Sequence, residues 1–496
     1  MSLDHGGDFK KKTISGISWS VMSRLSVQGL NFVIGVILAR LLSPDDYGLI
    51  GMVLVFVGFA NVFLDLGFGS ALIQKQNATS EHYSSIFWIN IGVGLILMLL
   101  FMILSPAIAR FYNQPELIPL TLLVSTNFFI GSFRVVQFSI LTKELNFRRL
   151  TIIELSALLV SGIIGISCAI IGFGVYSLAF QSISSNIMLV LLLWILSSWR
   201  PRLSFQWNAV KDLLGFSTNL LMFSSLNYWS RNADNMLIGR NLGTDALGIY
   251  NRSYRVMLLP ITMVSRTISR VMFPAFSTIQ DNKPRIARVY LRITRSIALI
   301  TFPIMIGMLV VSDYFVLAIY GEKWAGMIPI LRILCTVGLI QSIGTLNGNI
   351  YLSQGRADLQ FKVGAIFGIL TIGAIIIGLQ WGIMGVALAY LTITILLVYP
   401  SITIATSLIG ISFSDVLKNL WKILACAVSM GIAVIILDQI LPDNMPQIVY
   451  LTIEVLFGVV LYFSLIHFLK LQAYLDLKQI VISQIKTRRL GNFPSK

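Results

Sequence analysis

Apolar runs of roughly 20 residues, the helical length that crosses about 30 Å of hydrocarbon, recur from near the N-terminus almost to the end of the chain. They predict spans near 16–38, 47–69, 84–107, 117–139, 150–171, 175–197, 213–239, 247–273, 293–313, 326–350, 361–379, 384–408, 417–440 and 447–469. Short polar links separate them. The pattern therefore predicts an all-α integral membrane protein with about 14 transmembrane helices.

Composition agrees: 56% of the 496 residues are hydrophobic and 12% are charged, with a mean hydropathy of +0.83. A soluble core cannot hide so much apolar side chain. The run from Gly16 to Leu38 follows Lys10, Lys11 and Lys12, yet it carries Arg24 and is too long for a signal-peptide h-region, so it reads as the first retained span. Cys168, Cys335 and Cys426 lie inside apolar runs with neither pairing nor metal-ligand spacing, as packing residues do.

The formal charge of +16 does not mark a nucleic-acid partner, because the basic residues sit in short loops between spans rather than on one compact domain. They carry a topology signal instead. With the N-terminus inside, the cytoplasmic side receives about 25 of the 37 Lys and Arg, including Lys75, Lys143, Arg148, Arg149, Arg200, Arg202, Lys283, Arg285, Arg288, Arg292 and Arg295. The far side receives Arg40, Arg110, Arg240, Arg252, Arg255 and Lys323. An even number of spans with both termini cytoplasmic satisfies this bias at every loop.

A coarse internal repeat appears at a shift of 200 residues. Arg40-Leu-Leu-Ser-Pro-Asp-Asp-Tyr-Gly48-Leu lies over Arg240-Asn-Leu-Gly-Thr-Asp-Ala-Leu-Gly248-Ile, so that Arg, Leu, Asp and Gly recur in register. A second echo sets Gly174-Val-Tyr-Ser-Leu-Ala179 over Gly382-Ile-Met-Gly-Val-Ala387. Both copies begin on the same side of the membrane, which makes the repeat parallel. The organisation expected is an N-terminal lobe over 1–212, a C-terminal lobe over 213–410, each of six helices, and two further helices with a basic tail over 411–496.

Polar residues inside the spans carry the functional signal, since a charge at the bilayer centre costs several kcal/mol and normally faces protein or a wet cavity. Arg24, Gln28 and Asn31 in the first span, and Asn227, Arg231 and Asp234 in the seventh, share the spacing i, i+4, i+7 and so one helical face. The alternative is a structural Arg231/Asp234 lock between helices, but the two stripes occupy corresponding helices of the two lobes, which favours the lining of a cavity. In the eighth span Arg252, Arg255, Arg266 and Arg270 fall within about 60° of one another, forming a ladder of forked donors suited to a pyrophosphate. The competing reading has Arg252, Arg255 and Arg270 snorkelling to headgroups, leaving Arg266 deep. Arg134 and Arg332 add single buried cations, while Arg285, Arg288, Arg292 and Arg295 suit anionic lipid headgroups.

Deep cations outnumber deep acids. Asp65, Glu154, Asp313 and Glu454 lie within or at the ends of spans, and Asp234 is the one acid near a midplane beside an Arg. That balance favours an anionic cargo over the cationic cargo of a drug exporter. His5, His82 and His467 are far apart and no Walker-type phosphate loop exists, so neither an enzyme nor a cofactor is expected.

One stretch of motifs resembles a known family. Ala39-Arg-Leu-Leu-Ser-Pro44-Asp-Asp-Tyr47-Gly48, Asp65-Leu-Gly-Phe-Gly-Ser-Ala-Leu-Ile-Gln74, Leu145-Asn-Phe-Arg-Arg149 and Gly172-Phe-Gly-Val-Tyr-Ser177 are similar to the polysaccharide transporters of the multidrug/oligosaccharidyl-lipid/polysaccharide flippase superfamily, of the Wzx type. The resemblance covers nearly the whole chain. It implies two six-helix bundles around a central cavity, alternating access, and export of an undecaprenyl diphosphate-linked oligosaccharide for surface polysaccharide such as capsule, colanic acid or O-antigen. It further implies a bacterial inner-membrane location, membrane lipids and polysaccharide polymerase machinery as partners, and a cationic cavity for which Arg24, Arg134, Arg231, Arg266 and Arg270 are the matching residues. A cation-coupled multidrug exporter is the alternative. The second copy departs from the motif, with Thr244 and Leu247 in place of Pro44 and Tyr47.

Overall fold

Helix starts are written into the sequence as capping residues, and the structure uses them. This computed structural model describes residues 26–475 apart from 66, 443 and 473, without the side chains of 65, 209, 213–220, 223, 226, 227, 230, 231, 266, 267, 270 and 271. Its helices are α1 Ser26–Leu41, α2 Pro44–Asp65, α3 Phe68–Gln74, α4 Ser80–Tyr112, α5 Leu117–Ser132, α6 Val135–Lys143, α7 Phe147–Ile171, α8 Tyr176–Leu196 and α9 Trp207–Thr278. They continue as α10 Lys283–Val310, α11 Ser312–Phe315, α12 Met327–Ile343, α13 Asn347–Ser353, α14 Ala357–Gly378, α15 Gly382–Ser407, α16 Phe413–Asp438 and α17 Gln447–Phe468. Among the described residues there is no strand.

At α2, Ser43 and Asp46 cap each other reciprocally: the Ser43 amide and hydroxyl donate to the Asp46 carboxylate at 2.9 and 2.7 Å, and the Asp46 amide donates back to Ser43 Oγ at 3.2 Å. Pro44 opens the helix, where its missing N–H costs nothing. The same logic starts α16 with Ser412 and Asp415 and α10 with Asn282 and Pro284.

Nine helical stretches among the described residues are long and apolar enough to cross a membrane, ten if α5 and α6, bent by 45° at their junction, form one span. That measure does not reach the fourteen expected from hydropathy. The expectations 361–379 and 384–408 merge in the single stretch Ala357–Ser407, turned at Gly382 with φ 68°. The seventh and eighth both fall in α9, which Gly243 interrupts at φ 85°. The first corresponds in part to the shorter α1.

By its contacts the chain divides into two compact units, one ending at Asn251 and the other beginning at Arg252. In the first unit the two repeated segments touch. A Cβ on Gly48 would collide with the backbone of Thr244, and a Cβ on Gly248 with the carbonyl of Pro44. Under the 200-residue shift Gly48 corresponds to Gly248 and Pro44 to Thr244, so the contact is reciprocal, as at a twofold axis. The Thr244 hydroxyl donates to Asp45, and the Tyr228 hydroxyl donates to the carbonyl of Val55 at 2.7 Å. Burial and the neighbouring Asp45 carboxylate push the Asp245 carboxyl above its ordinary range. The second echo is also structural, for Gly174 and Gly382 both take positive φ, 52° and 68°, at the turn between two helices.

The stretch between α8 and α9 is strapped to the start of α4. Arg202 and Gln206 amides donate to Ser84 and Ser85 hydroxyls at 3.1 and 2.9 Å, and Trp88 Nε1 donates to the Arg202 carbonyl at 2.9 Å. Lys75 pairs with Asp212 at 2.9 Å. In the second unit α10 packs against α12 and α16, around a core of Phe276, Tyr290, Phe302, Ile423, Met430 and Tyr462.

The outward face is apolar and the interior is partly polar. Ile103 is 75% exposed, Ile195 72% and Ile369 70%, whereas Asn90, Gln137 and Ser132 are fully buried. Water would penalise that arrangement, and lipid does not.

Candidate functional site

The first unit's polar interior is organised by a helix break. The span expected as one helix over 117–139 bends between α5 and α6, where Phe133 and Arg134 interrupt the regular ladder. The Phe133 carbonyl at the break accepts a hydrogen bond from Trp194 Nε1 at 3.0 Å, which meets the need of a backbone group at membrane depth. From this corner Arg134 Nη1 donates to Asn186 Oδ1 on α8 at 3.0 Å. Asn186 Nδ2 donates to Asn127 Oδ1 at 2.7 Å, and Asn127 Nδ2 donates to Ser182 Oγ at 3.3 Å. Asn186 and Ser182 are one turn apart on α8 and present one face to α5.

Arg134 is half-buried and donates to an amide oxygen on α8. One turn of α4 away from Gly94, which packs against the Phe128 carbonyl and Ser132, sits Asn90. It is fully buried and neither atom of its amide has a hydrogen-bond partner. A buried amide left so costs about 1–3 kcal/mol per unmet group, the signature of a position that receives something polar. A half-buried guanidinium and an orphaned amide on neighbouring helices offer donors suited to an anion carrying hydroxyl or amide groups.

The second unit has a corresponding break without a cation. Between α12 and α13 the chain turns at Gly344–Leu346, and there Tyr290 donates to Asn347 Oδ1 at 3.1 Å while Asn347 Nδ2 donates to the Ser401 carbonyl at 3.1 Å. That network is neutral and internally satisfied.

The other residues singled out by sequence are placed as follows. Gln28 is half-buried and Asn31 exposed on α1. Asp234 on α9 accepts from the Asn235 amide at 2.7 Å. The whole of Arg24, and the side chains of Asn227, Arg231, Arg266 and Arg270, lie outside the described residues. Arg252 stands over the Tyr320 ring at 5.4 Å, and Arg255 is exposed. Arg332 is a correction: it is 48% exposed rather than a buried cation, and it pairs with Asp313 and donates to Ser312 Oγ. Hydropathy overlooked this because it averages over a helix and ignores which face a residue occupies. The hydropathy pattern does not single out Asn90, Asn127 and Asn186, whose one signal in the sequence is an amide inside an apolar run.

A family model described as polysaccharide biosynthesis protein matches residues 37–329, more than half of the chain. The chain belongs to this polysaccharide biosynthesis family. Consistent with that, it is 30% identical over 420 residues, 83% of its length, to the lipopolysaccharide biosynthesis protein WzxC of Escherichia coli strain K12, of which it covers 85%. Among solved structures, the lipid II flippase MurJ in an inward closed conformation superposes with a TM-score of 0.72 at 17% identity, covering 93% of this family member and 99% of MurJ. An inward-facing multidrug resistance MATE transporter gives 0.61 at 17% identity and covers 78% of the chain and 98% of the transporter. The fold is thus that of the MurJ and MATE transporters, and this family member is a multi-pass membrane protein.

Proposed function

We propose that the protein is a flippase that moves undecaprenyl diphosphate-linked oligosaccharide units across the bacterial cytoplasmic membrane by alternating access, for surface polysaccharide assembly. The observation that carries this reading is membership of a polysaccharide biosynthesis family combined with a fold shared over 93% of the chain with a lipid II flippase. The MATE likeness favours a drug exporter less, because it leaves more of this chain unaccounted for. In this reading the lobes are 1–212 and 213–410, with 411–496 an addition. The reciprocal Gly48/Gly248 contact supports that boundary as one between repeats, although the start of α9 packs in the first unit. Both termini face the cytoplasm, and polysaccharide polymerase machinery receives the product.

The chemistry of the headgroup explains the arginines. A lipid diphosphate entering a low-dielectric core without compensation would cost many kcal/mol. Arg134, with Arg24, Arg231, Arg266 and Arg270 along the route, supplies replacement donors, and Gln28, Asn31, Asn227 and Asp234 add polar contacts. Guanidinium forks keep their charge in poor solvent, so Lys substitutes only in part. The test is export of surface polysaccharide in a strain lacking this gene, with membrane abundance measured in parallel. Arg231→Ala with Arg266→Ala is expected to abolish export at normal abundance. Full export by that double variant would overturn the cationic route.

A further inference from the structure

A second polar cluster lies in the second unit, and the flippase reading makes no use of it. Glu454, on α17, is 2% exposed although it sits in an otherwise apolar helix. One of its carboxyl oxygens, Oε2, has no hydrogen-bond partner, while the carboxyl hydrogen-bonds the side chain of Asp438 at the end of α16. Asp438, half-buried, accepts a hydrogen bond from the Tyr314 hydroxyl of α11 at 2.6 Å. The Tyr314 ring stacks on Tyr450 of α17, with centroids 4.7 Å apart and planes at 8°, and the Tyr450 hydroxyl donates to the Pro442 carbonyl in the α16–α17 turn. Val311, Ala318, Val434 and Leu451 close the cluster on its apolar side.

Asp313 on α11 is nearby, but it is paired with Arg332 of α12. Among the described residues no Lys or Arg pairs with Glu454 or Asp438, and no group of three or more His, Cys, Asp or Glu is placed to hold a metal ion. A hydrogen bond between two carboxyl groups requires a proton on one of them. With no cation or metal site beside the pair among the described residues, the species that fits the unmet oxygen is hydrogen ion, and the two groups titrate as a unit.

We propose that Glu454 and Asp438 form a proton-binding site, in which one proton shared by the two carboxyls exchanges with water beside the α16–α17 turn. Asp438 is the half-exposed member through which the proton passes, and Glu454 is the buried member that holds it. Tyr314 positions Asp438, and Tyr450 ties the turn over the pair. The site is independent of the cargo assigned above.

Proton uptake by the purified full-length protein in lipid nanodiscs, measured potentiometrically across a pH titration, tests this directly. The wild type is expected to take up about one proton more than Glu454→Gln over a single step. Superimposable curves from two folded proteins would overturn the proposal. Should Glu454→Gln elute as aggregate in size exclusion, Tyr314→Phe carries the test, since it keeps both carboxyls and removes the hydroxyl donor. The step is then expected to keep its size and move its midpoint. A midpoint identical to that of the wild type would overturn the site as drawn.

Discussion

Adding one methyl group at Gly48 should damage the protein where the same change at Gly92 should not. Both glycines are helical, and Ala is preferred to Gly in a helix interior by about 1 kcal/mol. Around Gly92 nothing lies within 4 Å of an added Cβ, so Gly92→Ala should keep that gain. At Gly48 the new atom would overlap the Thr244 carbonyl oxygen, and all three nearest atoms are backbone. No rotamer relieves that collision; α2 and α9 must part. Such overpacking costs about 1–3 kcal/mol. Separation also threatens the hydrogen bond between Thr244 and Asp45, which contributes about 0.5–1.5 kcal/mol. It loosens the Leu247 packing beside Gly51 and Gly239 as well. After the propensity gain, Gly48→Ala should be destabilised by about 1–3 kcal/mol, and it should differ from Gly92→Ala by about 2–4 kcal/mol. Gly248→Ala should match Gly48→Ala, because its Cβ meets the Pro44 carbonyl in the mirror contact. Thermal unfolding of the purified variants in one detergent, followed by tryptophan fluorescence, measures the difference. Equal midpoints for Gly48→Ala and Gly92→Ala would refute the close approach.

Asn186→Asp gives Arg134 a carboxylate in place of an amide oxygen, so membrane abundance should hold while polysaccharide export falls sharply; normal export would remove Arg134 from the cargo route. Asn186→Leu should instead lower stability by about 1–3 kcal/mol, because it removes the hydrogen bonds of Asn186 to both Arg134 and Asn127. The hydrogen bond and charge of Lys75 hold the Asp212 carboxyl below its ordinary value. The stabilisation this represents is present above about pH 4 and is lost as pH falls through the lower, folded value. Lys75→Met should therefore flatten the acid limb of the stability profile, slightly and only at low salt, as unfolding midpoints at neutral and acidic pH would register. Arg285→Cys in a Cys168→Ser background should resist an impermeant thiol reagent applied to intact cells, and strong external labelling would invert the topology.

Elements long in apolar residues were legible from the sequence, whereas their bends and partners were not. The expectations 84–107 and 417–440 correspond to α4 and α16, which both begin about a turn before the apolar window because their N-capping residues, Thr79 and Ser412, lie in the preceding links. The 45° bend at Arg134 left no trace in hydropathy, since neither flanking residue is proline and the turn is stabilised by Trp194 from another helix. Of the proposed cationic site, Arg134 is legible as a charge inside an apolar run. Its partner Asn186 is 52 positions from it, and Asn186 in turn is 59 positions from Asn127, so only the fold brings them together. Glu454 was noticed as an acid within a span, but its burial and its link to Asp438 depend on how α16 and α17 pack. Arg332 was misplaced for the converse reason, since its apolar neighbours along the helix say nothing about the side it faces.

The reciprocal seating of Gly48 on Thr244 and of Gly248 on Pro44 ties the histories of the two copies together. Elsewhere in the chain, duplicated segments can drift apart, because each answers only to its own surroundings. Here each copy is the surroundings of the other. Added bulk in one segment must be absorbed by the backbone of its twin, so the pair can change only in concert. A joint of this kind passes any change of volume in one segment directly to the backbone of the other.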